Sequence, residues 1–243
     1  MMRGVGRTLA VFECFSSQHT SRSLQEIANA LKLPKSTTFR IVASLAEAGY
    51  LIRLKNHQYC LSFKFVRLAG LVMSTLDIRS IARPVMERTA TLSNEMVTLN
   101  TVSGNERVCL DVVNTPSPLM SVSKPGEHVP LVDGATAKVL MAWLPSAERR
   151  SAIVRAAKAM KRRRAEFAAE LDRIRGQGYA ATHGERVLGL TAVSAPIRNI
   201  EGEVRYCLTI TGPQIRMQPR VGDYVKLVIK AAADISRQLG APV

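Results

Sequence analysis

Residues 34–40 read Pro-Lys-Ser-Thr-Thr-Phe-Arg, so Lys35, Ser36, Thr37, Thr38 and Arg40 form a run of hydrogen-bond donors with no acid among them. Donors at the start of a helix can reach base edges or phosphates in a DNA major groove, and the helix dipole favours the phosphate. Ser36 and Thr37 could instead act only as caps, so the surrounding sequence decides. Leu24, Ile27, Ala28 and Leu31 fall at i, i+3, i+4 and i+7, and Ser23 with Glu26 makes a capping-box pattern. Pro34 suits the first position of a second helix running to about Ala48, stopped by Gly49. Its apolar face is expected to carry Ile41, Leu45 and Ala48, with Val42 beside them. Two short helices joined by a turn of about three residues match a helix-turn-helix. Strand-like runs follow at Tyr50-Leu51-Ile52 and Tyr59-Cys60-Leu61. They predict a hairpin with a basic tip, a wing, whose Arg53 and Lys55 can meet phosphate or minor groove. Gln25 and Asn56 complete the set of candidate DNA contacts.

The charge balance agrees. The chain has 243 residues, with 34 Lys+Arg against 19 Asp+Glu and a net charge of +15, which favours a polyanionic partner. Residues 1–80 hold 11 basic and 4 acidic residues, a net of +7, so the first third carries about twice the charge density of the rest. A second concentration, Arg149, Arg150, Arg155, Lys158, Lys161, Arg162, Arg163 and Arg164, has two readings. It is a further nucleic-acid patch or, the favoured reading, a solvated helix, since no aromatic residue is interleaved to stack on bases.

Cys14, Cys60, Cys109 and Cys207 form no Cys-x-x-Cys pair and suit reduced thiols in a cytoplasmic protein. Met1-Met2-Arg3 faintly resembles a signal peptide, but Glu13, Ser16, Ser17 and Gln18 interrupt the apolar run. Leu9, Phe12 and Phe15 read better as one face of a helix. No run approaches the ~20 apolar residues of a membrane span. Neither a metal site nor a cofactor is signalled.

Residues 64–80 return to helical spacing through Phe65, Leu68, Ala69 and Val72, and Arg83-Pro84 marks a new element, with 84–94 helical. Strands are expected at Met96 to Val102, Arg107 to Val113, Leu119 to Ser123, Leu190 to Ile197 and Val204 to Ile210. Helices are expected from Asp133 to Leu144, over a long stretch ending at Gly176 and Gly178, and from Val221 to Leu239. Antiparallel strands wrapped by helices make an α+β domain.

Taken end to end, the sequence resembles the IclR family of transcriptional regulators. The resembling segments are Ser23 to Ala28, Leu33 to Arg40, Ala48-Gly49-Tyr50-Leu51, Arg83-Pro84-Val85-Met86, Gly134-Ala135-Thr136-Ala137-Lys138, Gly176-Gln177-Gly178-Tyr179, Ser194-Ala195-Pro196-Ile197 and Thr211-Gly212-Pro213. The resemblance implies a winged helix-turn-helix domain at 1–63, a linker helix at 64–80 and a GAF-like effector domain at 81–243. It further implies a homodimer or homotetramer acting on double-stranded operator DNA. The effector is then a small organic acid or aromatic catabolite, in a pocket formed by Met120, Asp133, Ala135, Thr136, His183, Glu185, Ala192, Ser194 and Thr209. Four positions depart from the family pattern. Val132 stands where His is frequent, Ala137 where Gly precedes Lys, Ala192 where some members have Cys, and no Asp adjoins His183. The last two speak against a small oxo-acid, and Ala192 with Met120 favours an aromatic or more apolar effector.

Enzyme readings are weaker. Ser121-Val122-Ser123-Lys124 matches Ser-x-x-Lys, but the Ser-Asp-Asn and Lys-Thr-Gly partners of that chemistry are missing. The four His are isolated, and Cys109 and Cys207 lie in strands that favour buried, inert thiols. A basic helix at 149–164 lying on anionic lipid is the remaining rival. The sequence thus reads as a DNA-binding regulator and not an enzyme.

Overall fold

A computed structural model of the chain describes residues 3–16, 18–75, 77–115 and 123–242. The expected strand at 119–123 and the pocket residue Met120 fall almost wholly or wholly outside these. Internal contacts divide the chain into two compact units, Met1–Leu76 and Asp77–Val243.

The first unit contains α1 (Arg3–Glu13), β1 (Ser21–Arg22), α2 (Leu24–Leu31), α3 (Lys35–Glu47), β2 (Leu51–Arg53), β3 (Tyr59–Leu61) and α4 (Lys64–Thr75). Ser23 and Glu26 close a full capping box on α2, and Lys32, at φ 52°, ends it in the left-handed region. Helix α3 begins one residue later than its proline suggested, with Pro34 as N-cap. Its core face is Thr38, Val42 and Leu45, while Ala48 is exposed. In α1, Val11 is fully buried and Leu9 is 48% exposed. Residues two apart on a helix differ by about 200°, so seating Val11 turns Leu9 outward. Phe12 meets Phe65 edge-on at 5.0 Å and Tyr50 at 6.0 Å. The two-residue β1, too short to leave a periodic signal, pairs with β3 and makes a three-stranded antiparallel sheet of the wing.

The second unit begins with α5 (Ile78–Ser93), capped by Asp77, whose carboxylate accepts from the Arg79 amide. The expected single helix over 64–80 is therefore two, and Arg83-Pro84 starts nothing. Pro84 sits inside α5 on its exposed side, where water can satisfy the carbonyl left without an amide. The chain continues with β4 (Met96–Ser103), β5 (Glu106–Val113), β6 (His128–Pro130), α6 (Gly134–Ala142), α7 (Ser146–Ala159), α8 (Arg164–Gln177), β7 (Ala180–His183), β8 (Leu190–Arg198), β9 (Val204–Pro213), α9 (Gln214–Met217), a 3-10 turn and α10 (Val221–Gln238). The long helix expected up to Gly176 is broken between Met160 and Arg163, where Lys161 takes φ 52°. Gly178, at φ 80°, caps α8, and Gly176 lies inside it.

The strands form one antiparallel sheet in the order β6-β5-β4-β9-β8-β7. Strand periodicity gives it two different faces. Val97 and Leu99 of β4, Val193, Ala195 and Ile197 of β8, and Leu208 and Ile210 of β9 pack under α5 and α10. The alternate residues, Thr98, Asn100, Thr182, Ser194 and Thr209, are also buried but polar, and face the α6 side. All nine residues of α6 are buried.

One close approach in the sheet carries a prediction. A Cβ on Gly212 would lie 2.2 Å from Oε2 of Glu95, a residue 1% exposed whose carboxylate accepts from Arg216 Nε and Nη2 at 2.8 and 2.9 Å. Gly212→Ala is expected to force this carboxylate off its partner and lower stability by about 2–4 kcal/mol. Urea denaturation measures it, and a parent-like midpoint would show that Glu95 yields freely.

Candidate functional site

The first cluster lies on α2, α3 and the wing. Lys35, Ser36 and Arg40 are exposed at the start and outer face of α3, and Thr37 is partly so. Thr38 is different: it is fully buried and its hydroxyl donates to the Pro34 carbonyl at 3.2 Å. It therefore belongs to the helix's own packing and drops out of the donor set. Gln25 is exposed on α2 and donates to Asn29. In the wing, Leu54 and His57 close a turn, with His57 at φ 61°. Asn56 holds that turn through Gln58, accepting its amide at 3.2 Å and donating to its side chain at 3.0 Å. Arg53 lies 3.1 Å from His57 Nδ1, and Lys55 projects from the exposed tip. Arg22, which the sequence did not single out, anchors the wing sheet by donating to the Cys14 carbonyl at 2.6 Å.

The second cluster is a cavity of about 60 Å³ between the polar face of the sheet and the start of α6. Asp133, Ala135, Thr136, Glu185 and Ala192 all line it. Ser194 and Thr209 stand behind the lining, joined to it by a hydroxyl chain in which Thr136 and Thr209 are 3.0 Å apart and Thr209 donates to Ser194 at 2.9 Å. His183 does not line the cavity. It is exposed at the end of β7, its Nδ1 2.9 Å from the Thr191 hydroxyl. Sequence reading missed Met96, Thr98, Arg107, Thr182 and Arg186, which are among the other residues of the walls. An isolated arginine within a strand of alternating polarity was the available signal for Arg107.

The first two amides of α6 are satisfied from within the chain. The Gly134 amide donates to Glu185 Oε2 at 3.0 Å and the Ala135 amide to Thr182 Oγ1 at 3.1 Å. Glu185 also takes a bond from Lys138, whose buried ammonium donates at 2.6 Å to Glu170 on α8. Glu170 in turn accepts from Arg162. Burial, reinforced by Glu185, pushes the Asp133 carboxyl up. Burial likewise raises the Cys109 thiol to about 11 and the Cys207 thiol to about 12, which leaves both protonated and inert. Within the basic segment, Arg149, Arg162 and Arg163 pair with Asp172, Glu170 and Glu166. Part of that charge is thus neutralised locally.

A capped helix pair with a donor-rich second helix, joined in one chain to an α+β domain with a polar cavity, is the arrangement the family comparison matches. The model for the bacterial transcriptional regulator IclR C-terminal region covers residues 70–237, and that for the IclR helix-turn-helix domain covers residues 4–54. The chain belongs to the IclR family of transcriptional regulators. Among family relatives, the HTH-type transcriptional regulator KipR of Bacillus subtilis is 28% identical over 242 residues, spanning 97% of this chain and 96% of its own. An IclR transcriptional regulator from Silicibacter sp. TM1040 shares the fold with a TM-score of 0.88 at 19% identity, covering 99% and 97% of the two chains. HmgR of Pseudomonas aeruginosa does so with 0.82 at 22%, covering 99% of each. The chain is accordingly a regulator with an amino-terminal helix-turn-helix domain and a carboxy-terminal effector-binding domain. No helix among the described residues is long and apolar enough to cross a membrane.

Proposed function

We propose that the protein is a ligand-responsive regulator that reads a palindrome-like operator as a homodimer or homotetramer, with α3 in the major groove and the wing on the backbone. A small effector in the cavity beneath α6 sets DNA affinity or activation. The domain plan follows: winged helix-turn-helix at 1–63, a linker over 64–80 made of α4 and the start of α5, effector domain at 81–243. The observation that carries this reading is the two-faced sheet. Burying Thr98, Asn100, Thr182, Ser194 and Thr209 is costly unless every polar group finds a partner. Thr98 and Thr182 line a cavity, with Thr209 and Ser194 joined to its wall from behind, and a few polar groups converging on a cavity are the construction of a small-molecule site. The effector shifts an equilibrium only by its preference for one state of the protein over the other.

The test uses the full chain and duplexes selected by it from a random pool. Selected sequences are expected to share two inverted half-sites about one helical turn, or a multiple of it, apart. A consensus without internal symmetry would sink the dimeric reading. Thr136→Trp fills the cavity and is expected to leave operator affinity within about threefold of the parent while abolishing effector-dependent release. An intact response would move the effector site elsewhere.

A further inference from the structure

The guanidinium of Arg107 is the one feature of the cavity that its surroundings leave unexplained. The residue, on β5, is 6% exposed and lines the cavity. Its hydrogen bond goes from Nη1 to Asn100 Oδ1 at 3.1 Å, a neutral acceptor itself buried and tied to Thr98. Among the described residues Arg107 forms no ion pair. Burial and the nearby Arg186 both press on its charged form and push its pKa down. A guanidinium carries five N–H donors and cannot shed its charge, so one neutral acceptor, with Glu127 and Asp133 acting on it only at longer range, leaves it without a hydrogen-bonded counter-ion.

We infer that Arg107 is the seat for the carboxylate of a small monoanionic ligand, and that the amides at the start of α6 are not. The inference rests on reading the cavity as the effector site. A helix N-terminus is the ordinary place for an anion. Here the first two amides are taken from within the chain, by Glu185 on the Gly134 amide and by Thr182 on the Ala135 amide. Thr136 turns its hydroxyl to Thr209. Of the two arginines that line the cavity, Arg186 is exposed in the loop after β7, while Arg107 is buried on the sheet side, where a planar carboxylate can take two parallel bonds from it. Asp133 and Glu185 also line the cavity and oppose a second negative charge on the ligand, whereas Arg186, the other cation of the lining, is exposed and screened by water. The ligand chemistry is therefore a monocarboxylate. This is compatible with the expectation drawn from Ala192 and Met120: the apolar part of a ligand can face Ala192 while its acid group meets Arg107.

The experiment titrates the full chain with sodium acetate, sodium benzoate and sodium succinate, and with acetamide and benzamide, by calorimetry and thermal shift. A monocarboxylate is expected to bind and raise the melting temperature, its amide to be silent, and succinate to bind more weakly. Arg107→Met is expected to weaken that monocarboxylate about 10- to 100-fold. Asn100→Asp places a carboxylate of the protein's own beside Nη1 and is expected to weaken it similarly. Neither variant is expected to melt below the parent, since one removes a buried charge and the other compensates it; the loss is then not unfolding. Parent-like affinity in Arg107→Met, amides equal to acids, or a parent indifferent to every carboxylate overturns the inference. Binding lost in Thr136→Trp but kept in Arg107→Met overturns only the seat. Binding kept in Thr136→Trp overturns the reading of the cavity itself.

Discussion

Arg40→Ala is expected to abolish recognition of the operator while leaving weak, sequence-independent attachment to duplex DNA. Arg40 is exposed on α3, four residues beyond Ser36 and three beyond Thr37, so the three share one side of the helix. A bidentate arginine–guanine contact contributes about 1–3 kcal/mol of discrimination. In a dimer the contact occurs twice, so the loss is about 2–6 kcal/mol, or roughly 30- to 10⁴-fold. Lys55→Ala is the control, because a lysine at the wing tip meets phosphate and carries no sequence information. It is expected to weaken selected and scrambled duplexes alike and to reduce the salt slope by about one unit per copy. Fluorescence anisotropy on both duplexes at several salt concentrations separates the two variants. Retained preference for the operator in Arg40→Ala would remove α3 from the reading role.

The second large effect is on folding. Lys138→Met is expected to destabilise the effector domain by about 3–5 kcal/mol, the range for removing one member of a buried ion pair. The Lys138 side chain is 4% exposed and serves Glu170 and Glu185 together. Methionine preserves the packing volume, so the loss reports on charge. Glu170 keeps Arg162 as its counter-ion, but Glu185 is left with the Gly134 amide and no cation paired to it among the described residues. Acid sensitivity accompanies this. Burial pushes the Glu170 carboxyl up, but the bonds from Lys138 and Arg162 outweigh it and hold the pKa below its ordinary value. That contribution is complete above the ordinary carboxylate pKa of about 4.3 and is lost as pH falls through the lower folded value. Urea midpoints from neutral to acid pH measure both effects. A variant within about 1 kcal/mol of the parent would mean that Arg162 alone holds the network.

The DNA-reading half was legible because its signals are local. Ser23, Glu26, Pro34 and Gly49 state where helices start and stop, and the structure moves those limits by a residue at most. Leu9 and Ala48 were misplaced because spacing defines a stripe but not which edge of it meets the core. In the second unit, Asp77 outranked Pro84 as a boundary, since a satisfied cap fixes a helix start and an exposed proline is tolerated. The cavity was half visible. The α6 loop is contiguous, so Asp133, Ala135 and Thr136 come together by chain proximity alone. Arg107 and Thr98 reach it only through strand register, Thr98 facing Thr209 and Asn100 facing Cys109, and register is not written in any one segment. The charge of residues 149–164 is partly cancelled by Glu166, Glu170 and Asp172: Glu166 meets Arg163 three residues away, whereas Asp172 meets Arg149 only after α8 folds back on α7.

The filling of the Gly134 and Ala135 amides from within the chain divides the cavity into two walls of unequal freedom. Around the start of α6, Glu185 joins the Gly134 amide to Lys138 and Thr182 holds the Ala135 amide, and changing any of these disturbs the domain's framework. On the sheet side, Met96, Thr98 and Arg107 hold no cap and no helix end. Descendants of this sequence can therefore acquire new ligand preferences by substitutions along β4 and β5, one residue at a time, while the framework that keeps them folded stays untouched.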